Sequence, residues 1–179
     1  MITGMAVDGE ALPVGNAGLV LLAAYVPRLF GMLDLLQGSV FVDAAAQARG
    51  IHCLEYLVHG HNDSAEPEWL LDKLLCGVPL VRPVPPCAGL DGATRKRLDD
   101  LLTAVIAHWS ILGNTSLAGL RESFLQREGR LERHDGEEGP GWRLQVKARA
   151  FDMLLDRLPW SYATLRLPWM EGVLHVDWR

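Results

Sequence analysis

Apolar side chains recur along this chain in two periods, and the change from one to the other falls near Arg130. Before it, runs at helical spacing follow one another; after it, apolar and polar residues alternate. One capped helical run is Asn114–Arg130, NTSLAGLRESFLQREGR. Leu117, Leu120, Phe124 and Leu125 fall on one side of it. Asn114, Thr115 or Ser116 can cap its start by accepting from free backbone N–H groups. Gly129 predicts its end, since glycine takes the left-handed cap conformation without strain. Arg121, Glu122, Gln126, Arg127 and Glu128 read as a solvated face.

Residues 1–13 read as extended and exposed. Asn16 suits an N-cap, and Ala17–Val26 is apolar nearly all round, as a buried helix is. Pro27 fits the first turn of a continuing helix that carries Leu29, Phe30, Met32, Leu33, Leu35 and Leu36 and ends at Gly38. Asp43 caps a segment over Ala44–Val58, closed by Gly60. Ser64 and Pro67 start another, with Trp69, Leu70, Leu71, Leu74 and Leu75 as its buried face and Gly77 at its end. Val78–Pro86 carries four prolines and reads as an extended connector. Asp91 opens the most regular helix, running to about Leu112.

Strand periodicity then covers Arg130–His134 and Trp142–Ala148, a hairpin round the acidic loop HDGEEGPG. Phe151–Leu158 is one short helix, stopped by Pro159. Tyr162–Leu167 and Val173–Trp178 alternate again. The expected fold is therefore α+β. It has a mainly helical N-terminal two thirds, about five helices over 16–127, and a small antiparallel β region over 130–178. An extended segment 1–13 precedes one globular domain, 14–179. Leu117–Leu125 is expected to pack against the sheet face made by Leu131, Leu144, Val146, Leu165 and Leu167, because a small sheet cannot hide that face alone.

Composition narrows the function. The chain has 179 residues, 49% of them apolar, enough for a sizeable core. The net charge of -5 argues against a nucleic-acid partner, whose binding rests on clustered positive charge. Cys53, Cys76 and Cys87 are odd in number and form no CxxC pair, so no disulfide framework is indicated and a reducing compartment fits. The start, MITGMAVDGE, lacks the basic region of a signal peptide. The apolar run at Ala17–Val26 stops at Pro27, well short of the roughly 20 residues of a membrane span.

Candidate chemistry is sparse. His52, Cys53, Glu55, His59, His61 and Asp63 are the densest set of potential ligands. They lack an i, i+4 histidine pair or a spaced Cys/His set, so ordinary helix-end histidines are the plainer reading. His52 and Cys53 are adjacent, and adjacent helical side chains point apart, so they make no thiolate–imidazole pair. Cys53 and Cys76 read as buried structural cysteines. Asp152 and Asp156 read as a helix cap and as partners of Arg149 or Arg157. No catalytic, metal or cofactor residue is assigned. Three of the six tryptophans, Trp160, Trp169 and Trp178, lie near the end beside Pro159 and Pro168. Such aromatics either anchor a protein interface or fill a core, and they are the candidate partner-binding residues.

Five stretches carry a resemblance: NAGLVLLAAYVPRLF (16–30), LLDKLLCGVPL (70–80), VIAHWSILGNTSLAGLRESFLQREGRL (105–131), FDMLLDRLPW (151–160) and LRLPWM (165–170). In this order, over roughly 14–178, they resemble the tape measure proteins of contractile injection systems, the phage-tail-like particles. The resemblance implies a non-enzymatic structural and assembly role. Such a protein occupies the lumen of the inner tube, sets tube and sheath length, and contacts the spike and baseplate. It implies a protein that is cytoplasmic during assembly and afterwards inside the particle, with neither membrane nor nucleic acid as partner. Fully helical, the chain would reach only about 270 Å at the usual rise. With its many helix breakers it is therefore expected to be a compact domain of such a protein, either a piece of a longer one or a short member. Two alternatives from other classes are a cargo-loading adaptor and a metal-dependent effector domain using the His52–Asp63 cluster.

Overall fold

The computed structural model describes residues 10–137 and 139–179. At its centre lies Ala17–Tyr25, nine residues of 3-10 helix with Ala17 through Ala23 all buried. No side chain from Ala17 to Ala24 carries a polar group, so burial on every side leaves nothing unpaired. Two glycines let its start fit. A Cβ on Gly18 would stand 1.6 Å from the Phe124 carbonyl oxygen. One on Gly129 would stand 2.9 Å from both the Ala17 Cβ and the Gln145 oxygen. The segment thus runs between the backbone of 124–125 on one side and the sheet on the other. Ala17 N donates to Arg127 O at 2.9 Å. The expected Asn16 cap does not form; the Asn16 amide instead donates to Asp72 Oδ2 at 2.9 Å.

Helix α1 (Val26–Met32) follows directly, with Pro27 in its first turn as its fixed φ favours. It does not run on to Gly38. Asp34 turns left-handed (φ 58°), and β2 (Leu36–Gln37) pairs with β3 (Val40–Phe41) across a two-residue loop at Gly38 (φ 67°) and Ser39. A glycine with positive φ suits such a turn. The hairpin turns Phe41 inward against Phe30 and Trp169, with ring centres 5.6 and 5.2 Å away, an apolar contact that a continued helix would not make.

Helix α2 (Ala44–His59) is bounded as its sequence dictates. Asp43 accepts from Ala46 N at one end, and Gly60 (φ 77°) closes the other. A 3-10 turn (Glu66–Trp69) leads into α3 (Leu70–Leu75). Helix α4 (Gly92–His108) is capped by Asp91 and followed by a 3-10 turn at Ser110–Leu112. Ser116 caps the short α5 (Leu117–Leu120), which widens into a π turn at Arg121–Leu125. That helix ends at Gln126, three residues before Gly129, which instead opens a strand.

The sheet has the order β1-β4-β5-β7-β6. Its strands are β1 (Ala11–Val14), β4 (Gly129–Arg133), β5 (Gly141–Val146), β6 (Thr164–Leu165) and β7 (Val173–Asp177). The fold class is α+β, but the sheet is neither confined to the C-terminus nor wholly antiparallel. β1 comes from the segment expected to be exposed; residues 1–9 of that segment lie outside the described residues. β5 and β7 run parallel, joined by the long crossover that parallel pairing needs. One register row explains why β1 joins. Leu12, Leu131, Leu144 and Val176 are successive cross-strand neighbours, so Leu12 extends an apolar row that β4 alone would leave open at the edge.

Leu117–Leu125 was expected against the sheet. Its principal neighbours are instead the central 3-10 helix, α2 and α4, while β5 packs on the other side of that 3-10 helix. The apolar central segment supplies both faces with a partner, so they need not meet.

Candidate functional site

The polar groups that drew attention in the sequence are mostly turned inward as fastenings. In the His52–Asp63 stretch, Glu55 is 1% exposed and both its oxygens are occupied. Oε1 accepts from Asn62 Nδ2 at 2.9 Å, and Oε2 accepts from Ser64 N at 3.0 Å and Trp69 Nε1 at 3.2 Å. Burial alone would raise this carboxyl, but the polar contacts with His52, Asn62, Trp69 and Ser64 outweigh it and hold it at about 2. His52 Nε2 meets the Pro85 carbonyl at 2.8 Å, which ties the proline-rich connector to α2. The arrangement anchors the 61–69 loop; among the described residues no three His, Cys, Asp or Glu side chains converge to hold a metal ion. Burial pushes the Cys53 thiol up to about 12 and Cys76 well above its usual value, so neither offers a thiolate.

A second fastening joins parts far apart in sequence. Arg127, expected on a solvated face, is fully buried. It grips Asp152 with both arms, Nη1 to Oδ1 at 2.7 Å and Nη2 to Oδ2 at 2.8 Å. Asp152 Oδ2 also accepts from Arg149 N at 2.9 Å and Trp178 Nε1 at 3.0 Å. Desolvation would raise this carboxyl, yet these donors hold it below the ordinary carboxylate range. The guanidinium lies over the rings of Trp178 and Phe151, 5.1 and 5.6 Å from their centres. Asp156, read with Asp152 as a partner of Arg149 or Arg157, instead bonds Arg179 at the surface. Arg121 is likewise turned in. Its Nε donates to Leu57 O at 3.1 Å while Gln126 Nε2 donates to Val58 O at 3.0 Å, satisfying carbonyls at the end of α2.

The three C-terminal tryptophans each direct the indole N–H inward. Trp178 is buried against Asp152. Trp160 donates to Leu21 O at 2.8 Å and meets Tyr25 edge to face, with centres 5.1 Å apart. Trp169 donates to Leu75 O at 2.7 Å and stands beside Phe30 and Phe41. Trp160 and Trp169 are half-buried and keep an accessible edge.

Apolar side chains also reach the surface on the β2–β3 hairpin and at the end of α1. Val40 and Val42 flank the inward Phe41 at strand period and are 58% and 46% exposed; Met32, at the end of α1, is 49% exposed. Period-two alternation round Phe41 was the available signal. A second pair, Ile111 and Met153 (48% and 60% exposed), lies on the 3-10 turns Ser110–Leu112 and Asp152–Arg157, which touch each other.

The described structure is thus an α+β scaffold whose buried charges fasten its segments and which exposes a few large apolar side chains. The chain belongs to the family of contractile injection system tape measure proteins, whose model matches residues 4–178. That family is structural, and membership implies association with other components of an injection particle. No curated protein and no solved structure matches the chain. Among the described residues no helix is long and apolar enough to cross a membrane.

Proposed function

We propose that this chain is a non-enzymatic assembly component of a contractile injection particle, a tape measure that helps to set tube and sheath length. On this reading it lies in the inner-tube lumen and contacts the tube, spike and baseplate proteins. It is cytoplasmic while the particle is built and enclosed in it afterwards. The observation that carries the reading is the family match over nearly the whole chain, residues 4–178. The contact surface proposed is the outer face of the β2–β3 hairpin with the accessible edge of Trp169, and the edge of Trp160. Tryptophan is among the residues enriched in the anchors of protein interfaces. Trp178 serves from inside, by holding Asp152.

Cross-linking in assembling cells, followed by mass spectrometry, tests this. The expected result is links from the hairpin to tube, spike or baseplate proteins. Links to an effector alone would overturn the reading and favour a cargo-loading adaptor.

A further inference from the structure

The junction between the start of the central 3-10 helix and α3 holds two buried polar groups with no charge to balance them. Asn16 is 3% and Asp72 1% exposed. Asn16 Nδ2 donates to Asp72 Oδ2 at 2.9 Å. The other oxygen of each side chain, Asn16 Oδ1 and Asp72 Oδ1, is buried and has no partner among the described residues. Two buried acceptors and no donor would be a costly arrangement. A buried carboxylate without a cation to balance it would be costlier still.

We propose that Asp72 is carried in the folded protein as the neutral acid. Its Oδ1–H donates to Asn16 Oδ1 while Asn16 Nδ2 donates to Asp72 Oδ2, so a single proton closes a two-bond latch between the central segment and α3. One proton supplies the missing donor and removes the uncompensated charge. The groups packed round Asp72 offer no alternative. Among the described residues, Asn16 reaches it from the start of the central 3-10 helix and Glu55 from α2, with Cys76 one turn further on, just past the end of α3. Of the preceding turn, Glu66 is bound to Lys73, and Glu68 is exposed. Lys73, the adjacent cation, is turned away; its Nζ donates to Glu66 Oε1 at 2.7 Å and to the carbonyls of Arg82 and Leu80 at 2.8 and 3.2 Å. Burial pushes the Asp72 carboxyl up to about 8, with the charge on Glu55 adding to the rise against the pull of its own backbone amide and Asn16.

The sign of the linkage follows. An acid whose folded value lies above its unfolded 3.8 keeps its proton only in the folded state, so its contribution to stability is largest below about 4 and is lost as pH rises to about 8. Asp72→Asn keeps the shape and puts an N–H where the O–H stood, without a titrating proton. The ratio of folding constants, variant over wild type, should therefore rise about tenfold per pH unit between the two values and level off above the upper one. A ratio independent of pH would overturn the proposal. Infrared spectra of the wild-type protein give a second readout that needs no variant. A protonated-carboxyl C=O band should be present at pH 6, where the other carboxylates are ionised, and its absence there would overturn the proposal equally.

Discussion

Phe124 lies 3% exposed between Trp109 and Phe151, with ring centres 4.7 and 5.3 Å away. Removing its ring leaves a cavity between two aromatics and the central 3-10 helix, so Phe124→Ala is expected to cost about 3–5 kcal/mol in denaturant unfolding. A change within about 0.5 kcal/mol, as at a surface site, would contradict that burial. Glu55 sets an acid limit of its own. Its carboxyl is held at about 2 against 4.5 unfolded, so its contribution is present above about 4.5 and is lost as pH falls toward 2. Thermal unfolding from pH 2 to 5 should be steeper in wild type than in Glu55→Gln, and parallel curves would contradict it. At this scale the sequence was legible where the partner is local. Asp43, Asp91 and Ser116 each accept from a backbone N–H three residues on, as capping residues do. It was not legible where the partner is remote. Asn16 and Asp72 are 56 positions apart and Arg127 and Asp152 are 25 apart, and no local pattern couples them.

Among the elements, the change of period near Arg130 did mark the start of the β4–β5 hairpin, and the long helices α2 and α4 started where Asp43 and Asp91 placed them, although α4 ends at His108 rather than near Leu112. Short strands escaped. β1 carries four residues and β2 and β3 two each, lengths over which period two and period 3.6 look alike. Leu33, Leu35 and Leu36 therefore fitted a helix in sequence, while Gly38 and the inward Phe41 decide for a hairpin in three dimensions. That hairpin carries its own prediction. Val40→Asp and Val42→Asp add charge to exposed positions and should change stability by no more than about 0.5 kcal/mol. Each should nevertheless weaken capture of tube, spike or baseplate proteins in a pull-down. Undiminished capture would remove the hairpin from the proposed contact surface.

For the whole molecule, the buried apolar residues from Ala17 to Trp178 form one connected cluster, which both the helices and the sheet help to cover. We expect one cooperative unfolding transition, monitored alike by helical circular dichroism and by tryptophan fluorescence. Phe124→Ala should shift it as a unit, and a sheet that melts separately would contradict this. The buried pairs Arg127–Asp152 and Asn16–Asp72 join distant parts of that cluster, which suits a scaffold that must hold one shape while partners bind its surface. The measurement that tests the central claim most directly is the length of the particles themselves. The gene is deleted, and assembled tubes and sheaths are measured by electron microscopy. A tape-measure role predicts few particles, or particles of irregular length, restored by the wild-type chain. Normal numbers of particles at the wild-type length would contradict it.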